Sequence, residues 1–73
     1  MEYVKRIRDL REDNDLKQKD IAKLLNTTQS YYAQYENGKR ELPIHHLVTL
    51  CEFYNVSADY LLGFTNIQKK LRP

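Results

Sequence analysis

Val4, Ile7 and Leu10 fall at i, i+3 and i+6, and apolar residues keep this helical spacing along most of the chain. The period commits the sequence to helices, and no segment carries strand-like alternation. With only two glycines and two prolines, most breaks must come from polar residues. A first helix running to about Asp13 ends in the polar turn Asp13-Asn14-Asp15. Ile21, Ala22, Leu24 and Leu25 predict a short second helix from Gln18 to Leu25. Its N-cap is Lys17, a poor cap that Asp20 in the first turn partly offsets through the helix dipole. Asn26 tolerates the left-handed conformation and suits a sharp turn. Thr27 or Thr28 caps a third helix, Gln29 to Glu36, which Asn37-Gly38 ends. Pro43 fits the first turn of a fourth helix whose inner stripe is Leu47, Leu50, Cys51 and Tyr54. Ser57 caps a fifth, Ala58 to Leu62, closed by Gly63. From Thr65 onward no strong pattern appears.

At 73 residues the chain makes one small domain with a thin core, burying about 60% of its unfolded surface. There is no room for a deep catalytic cleft plus a cofactor site, and no cofactor is expected. The single cysteine, Cys51, forms no internal disulfide, frames no zinc and reads as a core thiol. His45 and His46 are adjacent, so on a helix they diverge and share no metal; they read as surface or partner-facing residues. Ser30 has no histidine at a readable partner position, and Asp13 and Asp15 suit caps, so no enzyme is expected. No apolar run approaches the roughly 18–20 residues of a membrane span. Met1 to Arg11 interleaves charges with apolar residues and holds no signal peptide, which points to the cytoplasm.

The formal charge of +2 argues weakly for any partner. Lys69, Lys70 and Arg72 crowd the C-terminal end, and without them nine basic side chains face ten acidic ones. The basic end, residues 65–73, reads as a solvated, frayed tail on a domain spanning residues 1–64. A nucleic-acid function therefore has to come from local placement.

Local placement is informative between Leu16 and Glu36, where two short helices meet at Asn26. This is the plan of a helix-turn-helix, whose second helix enters the DNA major groove. On a helical wheel, Tyr32 and Tyr35 lie together with Tyr31 on their flank. Gln29, Ala33 and Asn37 lie opposite, beside Ser30 and Gln34. No charge occurs from Asn26 to Tyr35, although 30% of the chain is charged. Glutamine pairs bidentately with adenine, serine donates or accepts, and a small alanine can touch a thymine methyl. Gln18, at the start of the second helix, suits a phosphate, as do Lys39 and Arg40 in the loop after the third.

The stretch from Leu16 to Arg40 (LKQKDIAKLLNTTQSYYAQYENGKR) resembles the phage repressor/Cro-type helix-turn-helix family, also called the XRE family. Leu47, Leu50-Cys51 and Tyr54 to Gly63 match that family's fourth and fifth helices, so the resemblance covers about Val4 to Gly63. It implies an all-α fold: a compact five-helix bundle, a lambda-repressor-like DNA-binding domain with its helix-turn-helix in helices 2 and 3. Carried over by position, Gln29, Ser30, Ala33 and Gln34 read bases. Gln18, Asn37, Lys39 and Arg40 contact the backbone, and Arg11 pairs structurally with Glu36. The chain departs from the pattern at Lys17, where a Ser, Thr or Asn cap is common, and at Asn26, which replaces glycine. Lys17 can add a phosphate contact, Thr28 is a further backbone candidate, and Tyr31 is another that can lie on the backbone or in the groove. Tyr32 and Tyr35 stand where aliphatic residues are usual, and a buried tyrosine needs a hydroxyl partner.

Two functions compete. One is a sequence-specific double-stranded-DNA-binding regulator, a repressor acting as a homodimer on a palindromic operator. Leu61, Leu62 and Phe64, an apolar group larger than a small core needs, would supply the dimer contact with the tail, or else pack within the domain. The alternative is a protein-interaction module such as an antitoxin, with a toxin or anti-repressor as partner, that can also repress its own operon. Should the chain be complete, control by abundance, proteolysis or a partner protein is expected.

Overall fold

The computed structural model describes residues 2–68, which form five helices and no strand. These are α1 (Glu2–Asp13), α2 (Gln18–Leu24), α3 (Gln29–Glu36), α4 (Ile44–Tyr54) and α5 (Ala58–Leu62). Lys69, Lys70 and Arg72 lie outside the described residues.

Local chemistry accounts for the helix ends. Thr28 caps α3, its hydroxyl oxygen accepting the Tyr31 N–H at 3.1 Å. Ser57 caps α5 through the Tyr60 N–H at 3.1 Å. At α2 the Lys17 ammonium has no lone pair to offer. Instead the Asp20 carboxylate reaches back to the Lys17 backbone N–H at 2.8 Å, half of a capping box. Leu25 is the C-cap of α2 rather than its last residue. Pro43 is likewise the N-cap of α4, one position before the first turn; its φ of −63° and ψ of 151° lead extended chain into the helix. Left-handed residues close the connections: Asp15 after α1, Asn26 between α2 and α3, and Asn55 after α4. Gly63, at φ 89°, ends α5 against the start of α1, where an added Cβ would collide with the Glu2 side chain.

The core is contiguous. Ile7 and Leu10 of α1 meet Ile21, Ala22 and Leu25, Tyr32 and Tyr35 of α3, Leu50 and Cys51 of α4, and Val56 and Leu61. Cys51 is a buried thiol whose ionisation burial pushes up, with Glu52 adding to the shift. Leu61 is fully buried, so it belongs to the core and not to an exposed apolar group. Leu62 and Phe64 do remain exposed. They line a groove of about 550 Å³ with Tyr3, Leu42, Ile44 and Leu47, and Glu2 and Glu41 complete its lining. The chain after α5 returns to α1: Arg6 donates to the backbone oxygens of Tyr60 and Thr65 and to Asn66 Oδ1, with its guanidinium over the Tyr60 ring.

Three helices converge on one buried carboxylate. Glu36, 2% exposed, accepts Arg11 Nε at 2.7 Å and Arg11 Nη2 at 3.0 Å. It also accepts Gln18 Nε2 at 3.1 Å and the Tyr32 hydroxyl at 2.5 Å. Arg11 Nη1 donates to the Leu16 carbonyl at 2.9 Å, which ties in the α1–α2 turn. Burial by itself would raise the Glu36 carboxyl, but hydrogen bonds from Arg11, Tyr32 and Gln18 hold it below its ordinary value. Burial and the same carboxylate push the Tyr32 hydroxyl far up, so it stays a donor. Nearby, the buried Tyr54 hydroxyl has no hydrogen-bond partner among the described residues. Burial, then Glu36, pushes it up to about 12.

Because the folded value of Glu36 is depressed, its ionised form favours folding. That contribution is fully present above about pH 4.3, the ordinary glutamate value, and is lost as pH falls through the lower folded value. Glu36→Gln should cost about 3 kcal/mol at pH 7, because it strands the Arg11 guanidinium. It should also flatten the loss of stability below about pH 4.3. Urea unfolding of both proteins from pH 7 to pH 3 checks this; parallel curves would contradict it.

Candidate nucleic-acid interface

The candidate interface is built around α3, eight residues long and so about 12 Å in length. Tyr32 and Tyr35 face inward and are 0% and 3% exposed. They meet edge to face with centroids 6.2 Å apart, and Tyr35 meets Tyr31 and His46 in the same way at 5.8 and 5.9 Å. Gln29, Ser30 and Tyr31 are exposed, whereas Ala33 and Gln34 are half-buried. The outer face therefore carries amides, a hydroxyl and a methyl, with no formal charge.

Asn26 makes this presentation possible. Its φ of 58° turns the chain sharply between α2 and α3, and the next residue, Thr27, returns its N–H to the Ala22 carbonyl at 2.9 Å. Thr28 then starts α3. Its hydroxyl hydrogen remains a donor while its oxygen caps the helix.

Gln18 sits beside the other end of α3. One amide N–H is committed to Glu36, leaving the second for another acceptor. The sequence offers this amide as a phosphate candidate; the structure ties it to Glu36. Lys17 is exposed next to it. Asn37 is the exposed C-cap of α3, and Gly38 takes φ 74°. This turn folds the loop back, so that the Lys39 and Arg40 N–H groups both donate to the Gln34 carbonyl, at 2.9 and 3.2 Å. Lys17, Gln18, Asn37, Lys39 and Arg40 thus gather near the C-terminal end of α3, while Thr28, Gln29 and Ser30 mark its start.

One cluster has no signal in the sequence. Arg40 Nε donates to the Gln34 side-chain oxygen at 2.8 Å, and the guanidinium carbon lies 4.6 Å from the centre of the Tyr31 ring. A second finding reverses an expectation. The His45 and His46 rings do not diverge: their centroids are 4.2 Å apart. Both occupy the first turn of α4, where burial and then His45 lower the His46 value. Among the described residues no three potential ligands group around a metal.

Two short helices at a left-handed Asn26, the second with an uncharged outer face, match one family's architecture. The helix-turn-helix family profile covers residues 7–61. The chain belongs to the helix-turn-helix family. This helix-turn-helix chain is 36% identical over 64 residues to the uncharacterized HTH-type transcriptional regulator YobD of Bacillus subtilis, covering 88% of this chain and 57% of that protein. It is 36% identical over 70 residues to the HTH-type transcriptional regulator ImmR of the same organism, covering 96% and 55%. It is 32% identical over 72 residues to the cryptic phage CTXphi transcriptional repressor RstR of Vibrio cholerae, covering 96% and 65%. The chain therefore spans between about half and two thirds of the length of these relatives. In the helix-turn-helix chain no helix among the described residues is long and apolar enough to cross a membrane.

If Asn26 is needed for its positive φ, Asn26→Ala should cost about 1 kcal/mol, the steric penalty of a Cβ without the compensating side chain. Asn26→Gly should leave stability within about 0.5 kcal/mol of the parent. Urea midpoints of the three proteins measure this; equal losses for Ala and Gly would show that the side chain, and not the backbone angle, matters.

Proposed function

We propose that this domain is a sequence-specific double-stranded-DNA-binding transcriptional regulator, a repressor that occupies its promoter. The observation that carries the reading is the uncharged outer face of α3 in a chain otherwise rich in charge. A major groove is about 12 Å wide and admits such a helix. Gln29, Ser30, Ala33 and Gln34 meet base edges. Lys17, Gln18, Thr28, Tyr31, Asn37, Lys39 and Arg40 hold the sugar-phosphate backbone on either side and set register. The relatives named as transcriptional regulators and as a phage repressor support this assignment. A regulator of this kind works in the cytoplasm, where the DNA is.

The domain acts as a homodimer on a palindromic operator. The apolar groove supports this: Ile44 and Phe64 are 78% and 79% exposed beside it, more than a single soluble domain needs to show. A second copy covers that face through Leu62 and Phe64. The same face favours a second reading, a toxin or anti-repressor seated there, and that partner leaves α3 open to DNA.

Selection from a randomised duplex pool tests the reading. The expected product is a two-fold symmetric motif with half-sites about 10–10.5 base pairs apart. Phe64→Asp should enrich a single half-site. Gln29→Ala should lose about 1–3 kcal/mol of discrimination at one base pair, whereas Lys39→Ala should weaken all sequences alike. An unenriched pool, or equal losses on selected and random DNA for both variants, would contradict the assignment.

A further inference from the structure

Arg40 differs from the other basic side chains near α3 because it is already bonded to a base-reading candidate. Its Nε–H donates to the Gln34 side-chain oxygen, and its guanidinium carbon lies over the Tyr31 ring. The loop backbone enforces the approach, since the Lys39 and Arg40 N–H groups are both anchored on the Gln34 carbonyl. Arginine carries donors only, so the Gln34 atom facing it must be the oxygen, and the amide orientation is settled.

We propose that Arg40 is a specificity-positioning residue: with Tyr31 it locks the Gln34 amide, so that Gln34 selects guanine and not adenine. This rests on the DNA-binding reading of α3. A free glutamine reads adenine by accepting from N6 and donating to N7. Here one lone pair of the Gln34 oxygen is taken, and the other lies beside a guanidinium that repels the adenine amine. What remains for Gln34 to offer is a set of donors, the two hydrogens of its NH2. Guanine presents two acceptors, O6 and N7, in the major groove and so fits such a set. The cation–π contact with Tyr31 helps hold the guanidinium in place.

The test separates this role from a phosphate contact. In pool selections, Gln34→Ala identifies the pair that Gln34 faces, as the one position whose preference flattens. The parent protein should prefer guanine there by tenfold or more. Arg40→Lys keeps the charge but loses the fork and the Nε donor. It should shift that one pair toward adenine by at least fivefold while leaving the other pairs and the salt dependence unchanged. In the Gln34→Ala background, Arg40→Lys should alter no base preference. A parent preference for adenine at that pair, or an unchanged preference in Arg40→Lys, would overturn the proposal while leaving the DNA-binding reading intact. An unenriched parent pool would overturn both.

Discussion

The Glu36 carboxylate, bound by Arg11 of α1, Gln18 of α2 and Tyr32 of its own helix, is the contact on which the geometry of the domain depends. A buried charge is expensive unless it is paired and its lone pairs are occupied. This one receives a bidentate guanidinium, an amide and a phenol. Each donor comes from a different place in the packing, so satisfying the carboxylate sets how α1 and α2 lie against α3. A small domain has little apolar area with which to hold a unique arrangement. The hub supplies directional bonds where the thin core supplies only contact. It also fixes the Gln18 amide near the end of α3, which links the structural centre to the surface proposed to meet DNA.

Much of this was legible from local chemistry. The bounds of α3 and α5 follow from Thr28, Ser57 and Gly63, because a cap or a left-handed glycine acts within one turn of itself. The turn at Asn26 was readable for the same reason. Local sequence misleads where neighbours decide. Leu61 and Leu62 are adjacent apolar residues on a five-residue helix, and only the tertiary packing buries one and exposes the other. The divergence expected of His45 and His46 follows from helix geometry at Cβ, but their rings swing together at the first turn of α4. Asp15 and Asn55 take positive φ without the glycine that usually announces it.

The long-range polar contacts carried the weakest signal. Arg6 reaches Thr65 and Asn66 across 59 and 60 residues, and nothing near Arg6 in the chain marks it as different from Arg8. The pairing of Arg40 with Gln34 spans only six residues, yet it depends on the left-handed Gly38 folding the loop back over the helix. The candidate site itself was visible as a composition contrast, an uncharged face in a charged chain. How its side chains are pre-arranged was not, because amide orientation is a property of partners and not of residue type.

In the function proposed for this domain, the hub holds α3 so that its uncharged outer face meets DNA. The most direct measurement is amide chemical-shift mapping by NMR as a selected duplex is titrated into the 15N-labelled domain. The largest shifts are expected at Gln29, Ser30, Ala33 and Gln34, with further shifts at Lys17, Gln18 and Asn37 to Arg40. The Ser57 and Leu61 amides, away from α3, should stay within the spread of the remaining signals. Shifts concentrated on the groove at Ile44, Leu62 and Phe64, with α3 unmoved, would contradict it.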